Sequence, residues 1–334
     1  MKKWLKRLSA GLLALLVCVV VVGTAWEALA RSKATRSFPA PGRLVDIGGG
    51  RRIQLDCRGA GSPVVVFESG LDRYGSLSWA AVHDSIALTT RACAYSRAGI
   101  MWSDAARRPF SSAHVAEDLR AALAAGGEKG PYVLVAHSLG GPYALTYTGR
   151  YGSDVAGLVF VDASHPDQVA RMRAATGKDM KPAVGMASVA ASFAWTGLVR
   201  ALIPSGRVPN APVWIYGPAN ARFATSLGPV LEEANALDAT LAAAGASRQL
   251  GDRPLVVLTA NEKMRPEMLK GMGLTADQGE GLRATWLRMH DDEATWSTHS
   301  RHQIVDDASH YIQFDRPQVV IAAVRDVIAQ VRKG

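Results

Sequence analysis

Hydrophobic and polar positions alternate in two rhythms between residues 43 and 332. Continuous short apolar runs at Pro63 to Phe67, Tyr132 to Ala136, Val155 to Val161 and Pro254 to Thr259 predict strands buried on both faces. Arg91 to Tyr95 and His302 to Val305 predict two more. Arg43 to Ile47 and Arg51 to Cys57 read as a hairpin around Gly48-Gly49-Gly50, a glycine run that no helix follows and that is therefore a turn, not a phosphate loop. Between these runs the period lengthens. Val115, Leu119 and Leu123 share one helical face behind a cap near Ser112, and Leu282 to Trp296 predicts another helix. Pro317 opens a last helix carrying Val320, Val324, Val327, Ile328 and Val331. From about Pro166 to Leu250 the rhythm breaks into an Ala-rich, Met-containing stretch with Phe193, Trp195, Trp214, Tyr216 and Phe223, which predicts a mostly helical insertion over the site. Strands alternating with helices predict an α/β fold: a mostly parallel sheet covered on both faces, with functional residues at the carboxyl ends of its strands.

The first 30 residues stand apart. Lys2, Lys3, Lys6 and Arg7 precede an uncharged run from Leu8 to Trp26. As a helix that run spans roughly 28 Å, close to the thickness of a hydrocarbon core. Two readings compete: a signal peptide cut after Ala28-Leu29-Ala30, or an uncleaved anchor, favoured by the length of the run. Both send the following chain across a membrane, because the basic cluster stays inside. Residues 31–42, polar and Pro-containing, read as a linker, and 43–334 as the folded α/β domain with its insertion at 166–250.

Composition changes this picture little. The chain of 334 residues carries a net charge of +9. The first 36 residues hold a net +6 of that, and the +3 left for the rest gives no reason to expect nucleic acid as a partner. His299 and His302 lack the further ligands a metal site needs, so no metal is expected. Cys57 and Cys93 lie in the exported part, where disulfides persist.

The chemistry centres on Val133 to Gly141, Val-Leu-Val-Ala-His-Ser-Leu-Gly-Gly. An apolar strand runs into a Ser whose neighbours two before and two after, Ala136 and Gly140, are small, as a tight strand-to-helix nucleophile elbow requires. Ala136 stands where Gly is usual. Leu71 and Asp162 also follow strand ends, and His310 follows the last strand. Together with Ser69-Gly70-Leu71, Tyr95-Ser96-Arg97-Ala98-Gly99 and Ser309-His310-Tyr311-Ile312, the elbow resembles the α/β-hydrolase family in residues and in order. The likeness covers about 43 to 332 apart from the insertion, and is nearest to membrane-anchored or secreted bacterial members.

The resemblance implies Ser138 as nucleophile, His310 as its base, and the N–H groups of Leu71 and Leu139 as oxyanion donors. For the acid it offers two positions. The commoner follows the strand at Pro254 to Thr259, where Lys263 falls with Glu262 beside it; the other, at the end of the preceding strand, is Asp162, which is favoured here. The antiparallel second and fourth strands of the family imply a Cys57–Cys93 disulfide. Ser96 replaces the usual Asp at a structural position. His137, His165, Asp306 and Asp307 are expected to serve packing or to be solvated. The implied activity is cleavage of a small-molecule carboxylic ester through an acyl-enzyme, extracytoplasmic and cofactor-free. The alternatives are an acyltransferase or a membrane-tethered binding protein without turnover. A Ser nucleophile argues against dehalogenase and epoxide-hydrolase chemistry, for which the family uses Asp.

Overall fold

The computed structural model describes residues 2–333 apart from Ala183. Its centre is a sheet of eight strands among the described residues: β1 (Arg43–Asp46), β2 (Arg52–Arg58), β3 (Val64–Glu68), β4 (Ala92–Ser96), β5 (Tyr132–His137), β6 (Val155–Val161), β7 (Leu255–Ala260) and β8 (Ser300–Val305). They lie in the order β1-β2-β4-β3-β5-β6-β7-β8. β2 is antiparallel to both β1 and β4, and every other pairing is parallel. The β1–β2 connection needs three successive residues at positive φ, which only its three glycines supply without strain.

Helices follow in chain order: α1 (Lys2–Ser37), α2 (His83–Ala87), α3 (Ser112–Gly126), α4 (Gly140–Tyr151), α5 (Gln168–Thr176), α6 (Gly185–Ser192), α7 (Leu198–Leu202), α8 (Tyr216–Ala221), α9 (Phe223–Asn235), α10 (Leu237–Gly245), α11 (Pro266–Met272), α12 (Ala276–Ala294), α13 (Ile312–Asp315) and α14 (Pro317–Val331). The pleat sends alternate residues to opposite layers. Val64 and Val66 of β3, with Leu134 and Ala136 of β5, face a core closed by α3 and α4. Val65, Phe67, Val133 and Val135 face a second core closed by α2 and α14. The α3 helix starts at Ser111, whose side chain accepts from the His114 N–H, a cap worth about 1 kcal/mol.

Several elements differ from the sequence reading. Residues 31–37, expected as linker, continue α1, so only 38–42 connect it to β1. The helix expected from Leu282 begins at Ala276, set by a capping box in which Thr275 and Gln278 satisfy each other's backbone N–H. The helix α11 was not anticipated; its Pro266 start and Gly273 stop are short-range signals inside a polar stretch. The stretch 166–250 is α5 to α10 with short 3₁₀ turns between them. Cys57 and Cys93 face each other in the β2–β4 register and are joined as a disulfide.

Candidate active site

β5 ends in a turn that holds Ser138 at φ 52°, a left-handed conformation costly for a residue with a side chain. The turn is over-determined. The Ser138 N–H donates to Val161, and its carbonyl accepts from the N–H groups of Gly141 and Ser164. A Cβ on Gly140 would lie 2.5 Å from the Glu68 carbonyl oxygen, and one on Gly70 would lie 2.8 Å from the Ser138 Cβ. Gly140 is needed because the β3 backbone passes there, and Gly70 because Ser138 and the His137 ring pack against it. Ala136 is completely buried, and its methyl fits the core.

His310, in the loop between β8 and α13, reaches Ser138: Nε2 lies 2.9 Å from Oγ. Its Nδ1–H donates to Asp162 Oδ2 at 2.6 Å. Because Nδ1 holds the proton, Nε2 presents its lone pair to the hydroxyl. Asp162 follows β6 and is also at positive φ, 46°. Its Oδ1 accepts from the Ala260 N–H at the end of β7, 2.8 Å away, and from the Trp286 Nε1–H of α12, 2.9 Å away. Burial raises the Asp162 carboxyl, but the hydrogen bond and charge of His310, with help from His290 and Trp286, leave it below its ordinary value. Of the two candidate acids, the structure brings Asp162 against His310. Glu262, the other candidate, is exposed on the stretch after β7, where it lines the cavity beside the site and makes no side-chain hydrogen bond among the described residues.

His137 is fully buried against the ring of His310, and its Nε2–H donates to the His310 carbonyl at 2.8 Å. Burial and the neighbouring His310 push it down to about 3, so it stays neutral and fixes the His310 loop as a donor.

The Leu71 and Leu139 N–H groups have no protein acceptor among the described residues. Leu139 begins the elbow helix α4, and Leu71 lies on the loop after β3. That loop is clamped by Arg97, which sequence reasoning quoted without a role. Its guanidinium donates to the carbonyls of Ser69 and Gly70, each at 2.7 Å. It also pairs with Glu68 at 2.8 Å and, through two bonds of 2.7 Å, with Glu233 of α9. All three charged groups are buried, so one cation ties the sheet, the loop and the insertion together. Burial pushes Glu68 up to about 7 despite Arg97 and a hydrogen bond from Tyr95. Beyond the loop, Asp72 accepts from the N–H groups of Tyr74 and Gly75 and from the Ser78 hydroxyl. Ser96, in place of Asp, keeps a local network: it accepts from the Ser76 N–H and donates to Gln54.

A cavity of about 660 Å³ adjoins Ser138 and His310, and Met172, Met180, Met264, Met268 and Met272 line much of it. Methionine walls are apolar and deformable. His165, expected as an ordinary loop residue, is instead fully buried near Asp167 and Asp292. Arg248 and Arg171 pair with those two acids, so their charge is already met by cations. The roles of Trp286, Arg97 and Glu233 left no sequence signal, because their partners lie 124, 28 and 136 residues away.

Residues 63–183 match the family described as the alpha/beta hydrolase fold. A thermophilic esterase from Thermogutta terrifontis superposes with a TM-score of 0.56 at 17% identity, over 86% of this chain and 97% of that one. The epoxide hydrolase CorEH superposes with a TM-score of 0.55 at 16% identity, over 86% and 98%. At such identities these likenesses speak to the fold. A protein of Schizosaccharomyces pombe is 47% identical over 74 residues, 22% of this chain and 14% of its own length. The chain spans between 14% and 51% of the lengths of the curated relatives it matches. With its strand order and elbow, the chain has the α/β-hydrolase fold, and residues 63–183 resemble that family in sequence.

Proposed function

We propose that the chain is a serine hydrolase that cleaves a carboxylic ester through an acyl-enzyme on the extracytoplasmic side of a membrane. The observation that carries this reading is the continuous chain Ser138 Oγ, His310 Nε2, His310 Nδ1, Asp162 Oδ2, at 2.9 and 2.6 Å. His310 takes the Ser138 proton as Oγ attacks the ester carbonyl, and Asp162 stabilises the imidazolium. The oxyanion is met by the Leu71 and Leu139 N–H groups, and loss of one such donor costs roughly 3 kcal/mol of transition-state stabilisation. His310 then protonates the departing alkoxide. Water enters, His310 accepts its proton, and the acid leaves Ser138. The methionine-lined cavity supports an apolar acyl group as substrate. An oxygen nucleophile on Ser favours ester cleavage over epoxide opening, which begins from an Asp in this family.

In this reading, residues 43–334 form the catalytic domain, 166–250 its cap, and α1 is a retained anchor. Retention is supported by Glu27, which is 1% exposed and paired with Arg200 of the cap at 2.7 Å. A cut after Ala30 would strip that carboxylate from Arg200. Labelling with a fluorophosphonate probe tests the chemistry. The wild type is expected to label rapidly and Ser138→Ala not at all; equal, slow labelling of both would favour a binding protein without turnover. Product analysis with an added alcohol separates hydrolysis from acyl transfer.

A further inference from the structure

Helix α1 is long and apolar enough to cross a membrane, and the window that qualifies is not buried by the rest of the chain. Its last apolar turn nevertheless touches the cap. A Cβ on Gly23 would lie 2.2 Å from the Thr196 carbonyl oxygen, and one on Gly197 would lie 2.8 Å from the Trp26 ring. One turn on, Glu27 pairs with Arg200 of α7 and with Arg31. Small residues permit this close approach, and the ion pair fixes its register. The segment from α6 to α7 is thus held at the level of Gly23 to Trp26, where the uncharged run ends.

That same segment is unusually apolar on its outer side. Met186, Val189, Phe193, Trp195, Leu198 and Leu202 are all exposed, Met186 by 88% and Leu202 by 69%. Val213 and Trp214 continue the pattern a few residues on. Outside α1, large exposed apolar side chains are sparse elsewhere on the described surface. Exposed apolar surface gathered in one segment marks a contact surface. The charge is one-sided within the segment as well: between Met180 and Leu231 the chain has no Asp or Glu, and of its four cations Lys181 pairs with Asp179 and Asp238 and Arg200 with Glu27, while Arg207 and Arg222 have no carboxylate partner among the described residues. Apolar side chains with Trp among them, on a segment that carries cations and no acid of its own, fit the headgroup and upper acyl region of a bilayer with anionic lipid.

We infer that the cap is a membrane-seated element: α6, the turn after it and α7 dip into the bilayer interface beside α1, and the lipid surface is their partner. The site gains a defined position from this. Met180 and Pro182 line the cavity at Ser138, and the chain enters α6 three residues after Pro182. One wall of the cavity is therefore continuous with the seated segment, and the site stands beside lipid, not at the end of a free tether.

The inference rests on α1 being an anchor, and the test separates the two. Full-length protein is placed in nanodiscs of phosphatidylcholine and phosphatidylglycerol, with an environment-sensitive fluorophore on one cysteine at a time. Cys18, in the apolar run, reports α1. Val189→Cys and Leu202→Cys, each with Cys18→Ala, report the cap. Leu88→Cys with Cys18→Ala, at the end of α2, is the reference. The expected result is that lipids carrying a nitroxide near the headgroup quench the Val189 and Leu202 labels, that deep nitroxides quench Cys18, and that neither quenches Leu88. Quenching at Cys18 with Val189 and Leu202 behaving like Leu88 overturns the seat and leaves the anchor standing. No quenching at Cys18 overturns both. Cap labels that are shielded but unquenched, in a protein that runs as a dimer, also overturn the seat by assigning the surface to a second copy. Fluorophosphonate labelling of the same samples reports Ser138 separately.

Discussion

Replacing Asp162 by Asn is the sharpest test of the proposed chemistry, because the surroundings dictate how an amide must sit. Oδ1 accepts from two donors, the Ala260 N–H and the Trp286 indole N–H. An Asn amide group at that position would face both donors with hydrogens of its own. The carbonyl oxygen must therefore occupy the Oδ1 place and the NH₂ the Oδ2 place, 2.6 Å from His310 Nδ1. There the amide can only donate, so the imidazole shifts its proton to Nε2 and points N–H at Ser138 Oγ. A base in that tautomer cannot accept the hydroxyl proton. The equivalent change in a well-studied Ser-His-Asp triad lowers kcat about 10⁴-fold, or about 5.5 kcal/mol at 1.36 kcal/mol per decade. Stability should change less, since two of the three hydrogen bonds to the side chain survive. The assay is the rate of fluorophosphonate labelling and of chromogenic ester hydrolysis for the wild type, Asp162→Asn and Glu262→Gln, with thermal melting as the control for folding. Glu262→Gln should match the wild type. If Asp162→Asn labels within about threefold of the wild type while Glu262→Gln is slow, the tautomer argument is wrong and the acid has been misassigned.

Four further outcomes follow from the same geometry. Arg97→Met should destabilise the protein by roughly 3–5 kcal/mol, because it strands two buried carboxylates, and a melting temperature near that of the wild type would refute the clamp. Glu68 holds its proton up to about pH 7 when folded and releases it near 4.5 when unfolded, so its contribution to stability falls as pH rises between those values and is flat above them. The full change is roughly 3 kcal/mol, and Glu68→Gln should remove that part of the slope in denaturant titrations from pH 4.5 to 7; parallel slopes would count against it. Opening the Cys57–Cys93 bridge, 36 residues apart, by a double change to Ala should lower unfolding free energy by up to about 4 kcal/mol and leave the labelling of Ser138 intact. Glu27→Gln should loosen the cap, read as faster proteolysis within 185–202, whereas unchanged cleavage would show that α1 and the cap are held by other contacts.

How much of this could be read from the sequence depends on the range of the interaction. Strands β3, β5, β6 and β7 were legible because burial on both faces demands unbroken apolar runs, and the elbow because a tight turn restricts side-chain size at fixed offsets. The boundaries that moved were set by weaker local signals: a capping box at Thr275 in a polar stretch, and a helix that keeps turning through polar residues up to Ser37. Ser138 and His310 could be paired because each follows a strand end. Arg97 could not, since its meaning lies in carbonyls at Ser69 and Gly70 and in Glu233 on a cap helix. A guanidinium in a sequence is a surface charge by default, and only the fold shows that it is buried.

The acid illustrates the same limit at closer quarters. Chain order alone allowed a carboxylate after either β6 or β7. What separates the two is the parallel pairing of those strands, which brings the first residue beyond β6 beside the end of β7. There the Ala260 N–H, left over on the side of β7 where β6 has ended, meets Asp162 Oδ1. The end of β7 thus meets Asp162 with a backbone donor in place of a side chain. That donor costs nothing in specificity of residue type, so no choice of residue at 260 records it. Glu262, two residues further on, is exposed and lines the rim of the cavity, while Asp162 sits in a left-handed turn that aims its carboxylate back at His310.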